Sequence, residues 1–76
     1  MDIQNLVKMA NQIGQFFQSY PNHEEAVDGV AGHIQRFWEP RMRNAILAHA
    51  QSGGETGLLP LVVEALQRVH GTQQAA

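Results

Sequence analysis

The sequence predicts an all-α fold, a small single-domain bundle of three to four helices. Apolar residues recur at helical spacing in successive segments, and Pro21, Pro40 and the glycine-rich stretch 52–57 separate those segments. The only candidate strand, residues 58–63, contains an internal proline, which would interrupt the hydrogen bonds of a strand. A chain of 76 residues is long enough for one small domain and no second one.

A first helix is predicted over residues 3–20. Asp2 can cap its start, and Pro21 ends it because proline disfavours helical backbone in the residue before it. The apolar stripe of this helix comprises Ile3, Leu6, Val7, Ala10, Ile13, Gly14 and Phe17. Met9 and Phe16 fall about 90–110° from the centre of that stripe. They either widen the packed face or face a partner.

A second helix is predicted to run to about Trp38. Asn22 followed by Glu25 has the spacing of a capping box at its start. Its apolar stripe comprises Ala26, Val27, Val30, Ala31, Ile34, Phe37 and Trp38. Gly29 and Gly32 lie on the opposite side, where they are either tolerated surface glycines or points at which another backbone comes close.

Two further helices follow on either side of the loop 52–57. The third is predicted over residues 40–51, because proline suits the first turn of a helix. Its buried stripe comprises Met42, Ala45, Ile46 and Ala50. Leu47 points about 130° away from this stripe, so we expect it at a contact with a partner or with another copy. The fourth is predicted over residues 59–70, with Gly71 as its C-terminal cap. Its apolar positions are Leu61, Val62, Ala65, Leu66 and Val69.

Composition limits the class of protein further. Hydrophobic residues make up 43% of the chain, and the net charge is −2, which argues against disorder. No apolar run approaches the length of a membrane span, and the N-terminus does not resemble a secretory signal, so we expect a cytoplasmic protein. Charged residues reach only 16%, against about 25% in ordinary proteins. Either the surface is uncharged but well solvated, or a partner covers part of it. We assign residues 1–71 to the helical domain and residues 72–76 to a flexible C-terminal tail.

The residues that could carry chemistry are sparse. The chain has no cysteine, which excludes thiolate metal sites and disulfides. No two of the four histidines have the three- or four-residue spacing that places two ligands on one helix face. The loop 52–57 lacks the lysine and the hydroxyl that complete a phosphate-binding loop. We therefore predict no catalytic, cofactor-binding or metal-binding residue. A nucleic-acid partner is not predicted either, because the chain is net acidic.

The segment 33–43 carries the strongest functional signal. It contains the only tryptophan and three of the four arginines, and these residue types concentrate at binding hot spots. Arg41 and Arg43 lie in the first turn of a helix, where positive charge is unfavourable. Either a local carboxylate such as Glu39 compensates them, or an anion on a partner does. The predicted partner-binding residues are Phe16, Arg36, Trp38, Arg41, Arg43 and Leu47.

Two blocks of this sequence, MANQI at 9–13 and FWEPRMR at 37–43, resemble the small delta subunit of NAD-dependent, molybdenum-containing formate dehydrogenases. The similarity covers about residues 3–69. It implies a soluble bacterial complex that oxidises formate to carbon dioxide and reduces NAD. It also implies that molybdenum bis-guanine dinucleotide, iron–sulfur clusters, FMN and NAD are bound by larger subunits, while the delta-type chain is non-catalytic and supports the active, cofactor-loaded enzyme.

Two classes of function follow from the sequence. The first is a protein-binding subunit or assembly factor of a formate dehydrogenase, which binds chiefly the molybdenum-containing catalytic subunit. The second is a free-standing helical interaction module, or a homodimeric regulator, unrelated to formate oxidation. Co-purification with a large molybdenum protein distinguishes the two.

Overall fold

A computed structural model describes residues 2–69, and four α-helices account for most of them. These are α1 (Ile3–Phe17), α2 (His23–Phe37), α3 (Pro40–Ala50) and α4 (Pro60–Leu66). The described residues contain no β-strand, which confirms the predicted all-α fold. None of these helices has the length and apolar character needed to span a bilayer.

The helix starts are those that the capping residues predict. The Asp2 carboxylate accepts a hydrogen bond from the backbone N–H of Gln4 at 3.0 Å, and the Asn22 side-chain oxygen accepts one from the N–H of Glu25 at 3.0 Å. Each bond satisfies a donor that the first turn of the helix leaves free. Both α3 and α4 begin with a proline and have no side-chain cap. Proline suits that position because its missing N–H would have had no partner there.

The helix ends differ from the sequence prediction. The first helix was expected to reach residue 20, but α1 ends at Phe17, and a turn in which the Tyr20 N–H bonds to the Phe17 carbonyl leads out of it. The fourth helix was expected over 59–70, but α4 ends at Leu66 in a tight turn. The remainder of that prediction, with the Gly71 cap and the C-terminal tail, falls in residues 70–76, which lie outside the described residues.

The core lies where α2 packs against both α1 and α4. The helix α3 completes it by packing against α1 and α4. Its largest fully buried side chains are Ile34, Ile46, Val27, Val30 and Val62. The predicted stripes supply this core, with one correction at the end of α2. Phe37, expected inside, is 71% exposed. Trp38 leaves the helical conformation with a ψ of 140°, and this turn of the backbone directs its indole into the core in place of the Phe37 ring.

Polar side chains fasten the loop before α4 to the rest of the bundle. The Asn11 amide donates to the Gly57 carbonyl at 2.8 Å, and its oxygen accepts from the Leu59 N–H at 2.9 Å. The His49 Nε2 atom donates to the Thr56 carbonyl at 2.8 Å. Gly57 has a φ of 78°, a left-handed conformation that favours glycine. These bonds hold the loop against α1 and α3, so that α4 enters the bundle in a fixed position.

Candidate protein-binding surface

An apolar groove of about 480 Å³ runs between α1 and the C-terminal part of α2. We call it the α1–α2 groove. Its lining residues are Met9, Gln12, Ile13, Phe16, Phe17, His33 and Trp38. Most of these side chains are apolar or aromatic, a composition typical of surfaces that bind other proteins.

One wall of the groove is a second apolar face of α1, formed by Met9, Ile13 and Phe16, which we call the α1 seam. These residues are separated by four and then three positions, and the seam is rotated about 110° from the face that α1 buries in the core. Met9 and Ile13 are half-buried, whereas Phe16 is 65% exposed. From the sequence, Met9 and Phe16 could either widen the packed face of the helix or face a partner. The first interpretation is therefore wrong for Phe16.

Aromatic rings continue this surface across to α2. The Phe16 and Phe17 rings meet edge to face with centroids 4.9 Å apart, and the His33 and Phe37 rings lie 5.0 Å apart on α2. The Phe17 ring rests on Gly29, where an added Cβ atom would come within 2.4 Å of a ring carbon. Gly29 is thus required by an approaching side chain, not by an approaching backbone.

Gly32, one turn further along α2, is different. An added Cβ atom there would meet nothing within 4 Å. Gly32 is therefore a tolerated surface glycine, which was one of the two interpretations that the sequence left open.

Trp38, a predicted partner-binding residue, is mostly buried in this chain. Its side chain is only 5% exposed, and it belongs to the hydrophobic core while lining the α1–α2 groove from below. A partner in the groove would therefore meet only a small part of the indole. The exposed aromatic residue at this end of α2 is Phe37, which the sequence placed in the core.

Arg43, another predicted partner-binding residue, contacts the end of α2 in its own chain. Its Nη1 atom donates to the Trp38 carbonyl at 2.7 Å and to the Gln35 carbonyl at 3.3 Å, so the half-buried guanidinium turns back onto the end of α2. Its Nε atom is buried and has no hydrogen-bond partner among the described residues. Carbonyls at a helix C-terminus carry partial negative charge. Within the chain, the compensating group is therefore the C-terminal end of the preceding helix and not Glu39, while a role for Arg43 in binding a partner stays a prediction.

Arg36 and Arg41 remain on the surface. Both side chains are exposed, and neither forms an ion pair within residues 2–69. Arg36 borders a shallow depression that adjoins the groove and shares its residues Phe17 and His33. The exposed residues of the groove are Gln12, Phe16 and His33, and Arg36 and Phe37 are exposed in the depression beside it.

A comparison with protein families identifies the family to which this chain belongs. The family model described as NADH-dependent formate dehydrogenase delta subunit FdsD matches residues 5–66. The chain belongs to this family. The resemblance found in the sequence is thereby confirmed, over nearly the range expected from it. No curated protein and no solved structure matches the chain significantly.

Leu47 of this delta-subunit family member is not the outward-pointing residue that helical geometry suggested. It is half-buried, packs against the core and lines a shallow depression with Val63 and Leu66. Because α4 lies beside α3, it covers part of a side chain that a lone helix would expose. Contacts within the chain thus occupy part of Leu47, and its role in binding a partner stays a prediction.

In this delta-subunit chain, ion pairs join α2 to α4 and the turn that follows it. Arg68 contacts Glu24 at 2.8 Å and Asp28 at 2.6 Å, and His23 lies 2.8 Å from Glu64. The hydrogen bonds that Arg68 donates to Glu24 and, to a smaller extent, to Asp28 raise the pKa of Arg68 above its usual value. Three of the seven carboxylates are therefore already paired with groups of the same chain.

Proposed function

We propose that this chain is a non-catalytic subunit of an NADH-dependent formate dehydrogenase complex and binds the larger, molybdenum-containing subunit through the α1–α2 groove. Membership of the delta-subunit family supports a role as a subunit. The observation that supports the groove as the binding surface is the exposure of Phe16, which lines it, and of Phe37, which lines the adjoining depression, at 65% and 71%. We propose a cytoplasmic location for the complex.

Energetics favour this surface over others on the chain. Fully burying a phenylalanine stabilises by about 1.5–3 kcal/mol, and most of that is unrealised at Phe16 and Phe37 while they face water. Aromatic residues and arginine are enriched at interfaces, and here Arg36 adjoins the groove. Both features would favour the binding of a partner that covers the groove.

The cofactors of such an enzyme are proposed to lie on its larger subunits. The donor set of this chain does not suit iron–sulfur clusters, because the sequence has no cysteine. Residues 2–69 hold no cluster of three or more histidine or carboxylate side chains that could bind a metal ion. We therefore propose that molybdenum bis-guanine dinucleotide, the iron–sulfur clusters, FMN and NAD are bound by partner subunits, whose cofactor-loaded state this chain supports.

The test combines Phe16→Ser with Phe37→Ser in a chain expressed together with the other subunits. We expect the double variant to be lost when the tagged molybdenum subunit is purified, with lower molybdenum content and less formate-dependent NAD reduction per complex. Gln15→Ser is the matched control, because Gln15 is exposed on α1 but points about 100° away from Phe16. The melting temperature of the isolated double variant should stay close to that of the unaltered chain, since both rings are mostly exposed.

Two results would contradict the proposal. Full retention of the double variant in an active complex would show that the groove is not the binding surface. The absence of any formate dehydrogenase subunit from purifications of the unaltered chain, together with self-association that the double variant abolishes, would favour the alternative of a free-standing homodimer.

A further inference from the structure

We propose that the groove binds an amphipathic helix of the partner, whose apolar side chains pack on the α1 seam and whose carboxylates pair with Arg36 and Arg41. This inference rests on the proposed function, since it names the partner element that the same surface would bind. Three features of the surface lead to it: its shape, the spacing of its apolar residues and its unpaired charge.

The shape and spacing favour a helix. The groove lies between two helices, and residues 2–69 offer no strand edge to which an extended peptide could add. The positions 9, 13 and 16 of the α1 seam follow the alternating four- and three-residue spacing with which one helix packs along another. Tyr20 continues this spacing just beyond the end of α1 and is 39% exposed. From Met9 to Phe16 the seam is about 10 Å long, or two helical turns of contact.

The charge around the groove favours a partner that carries carboxylates. The segment 33–43 holds three arginines and one glutamate, although the whole chain has a net charge of −2. Arg43 is engaged by carbonyls of α2, which leaves Arg36 and Arg41 without an ion-pair partner among the described residues.

The nearby carboxylates do not neutralise these two arginines. Asp28 borders the same depression as Arg36, but its carboxylate is held by Arg68 at 2.6 Å. Glu39 lies between the two arginines in sequence and is exposed, yet it forms no ion pair within residues 2–69. The rim of the apolar groove therefore carries the unpaired guanidinium of Arg36, in the adjoining depression, and Arg41 follows three residues after the groove residue Trp38. Such a rim attracts an acidic partner and raises the rate of association.

The same charge disfavours a second copy of this chain in the groove. A two-fold interface brings the same patch of both copies together. If the two-fold axis passes close to Arg36 and Arg41, each arginine lies near its own copy, and like charges across an interface are unfavourable. A partner helix that presents aspartate or glutamate beside apolar residues has no such conflict.

Cross-linking of the assembled complex tests the proposal directly. Lys8 is the only lysine in the chain, so Arg36→Lys and Arg41→Lys each add a single new amine while keeping the positive charge. A carbodiimide joins amines to carboxylates in direct contact without a spacer. We expect each variant to cross-link to an aspartate or glutamate of the molybdenum-containing subunit, within a segment whose apolar residues recur every three or four positions. The unaltered complex, treated identically, shows which cross-links arise from Lys8 and the terminal amine.

Association kinetics supply a second measurement. We expect Arg36→Glu to slow binding to an enzyme prepared without this chain by about tenfold at low salt, and to reduce the salt dependence of the rate. Lys8→Glu makes the same change of charge at an exposed cation that lines neither the groove nor the depression beside Arg36, and it should have a much smaller effect.

The outcomes separate this inference from the proposed function. If the Phe16→Ser, Phe37→Ser variant stays in the complex, the groove itself is not used and the proposed function is wrong. If that variant is lost but neither new lysine cross-links and Arg36→Glu binds like Lys8→Glu, only the acidic helix is wrong. Cross-links to a second copy of this chain, or to a segment without helical spacing, would also overturn the inference.

Discussion

Arg43 gives the sharpest test of how this fold is held together. Replacing it by methionine keeps most of the apolar stem and removes the guanidinium that bonds to the Trp38 and Gln35 carbonyls at 2.7 and 3.3 Å. A hydrogen bond from a charged group contributes about 1.5–3 kcal/mol. Since the site is half-buried and one of the two bonds is long, we expect a loss of about 2 kcal/mol in the free energy of unfolding. For a domain of this size that corresponds to a fall of about 8–16 °C in melting temperature.

Arg41→Met is the matched control, because Arg41 lies on the same turn of α3, is exposed and has no ion pair among the described residues. Surface changes of this kind usually alter stability by less than about 0.5 kcal/mol. Thermal melting followed by circular dichroism compares the two variants with the unaltered chain. Arg43→Lys should restore only part of the loss, since an ammonium is more strongly hydrated than a guanidinium and is less favourable at a half-buried site. Equal melting temperatures for Arg43→Met and Arg41→Met would refute the assignment of Arg43 to the fold.

Two further predictions concern single contacts and use the same melting assay. Gly32→Ala should raise the free energy of unfolding by up to about 1 kcal/mol, because alanine favours a helix and the site is open. Gly29→Ala should lower the melting temperature instead, since the new methyl group displaces the Phe17 ring; a gain equal to that of Gly32→Ala would contradict this contact. Asn11→Ala removes both bonds to the loop before α4 and should cost about 1–3 kcal/mol. Asn5→Ala, at an exposed position of α1 with only a weak contact to a sulfur atom, is the control and should cost little.

Much of the fold could be predicted from the sequence because the relevant interactions are local. Asp2 and Asn22 each bond to a backbone N–H within the next three residues, so their capping role needs no knowledge of the tertiary structure. The same holds for the prolines that begin α3 and α4. The apolar stripes also follow from spacing alone, which is why most of the core was correctly predicted.

The errors arose where the outcome depends on contacts between distant residues or on where the chain turns. Phe37 and Trp38 were both expected in the core, but only Trp38 is buried, and the non-helical backbone at Trp38 that accompanies this difference cannot be anticipated from periodicity. Arg43 bonds to carbonyls five and eight residues earlier, across the turn between two helices. Asn11 lies 46 and 48 residues from its partners. In the sequence, Asn11 is a polar residue at the edge of an apolar stripe. Such residues are too common to identify one whose side chain bonds to a distant loop.

The exposed phenylalanines lead to a final prediction about the stability of the chain in its complex. At 65% and 71% exposure, Phe16 and Phe37 together leave about 2–4 kcal/mol of burial energy unrealised in the isolated chain. That is a large fraction of the roughly 5–15 kcal/mol that stabilises a typical domain. A partner that binds only the folded chain stabilises it by mass action. Amide hydrogen exchange across α1 and the C-terminal half of α2 should therefore slow when the chain enters the complex. Unchanged exchange there, with slower exchange at the α2–α4 ion pairs instead, would place the interface at the contact between α2 and α4 and not at the groove.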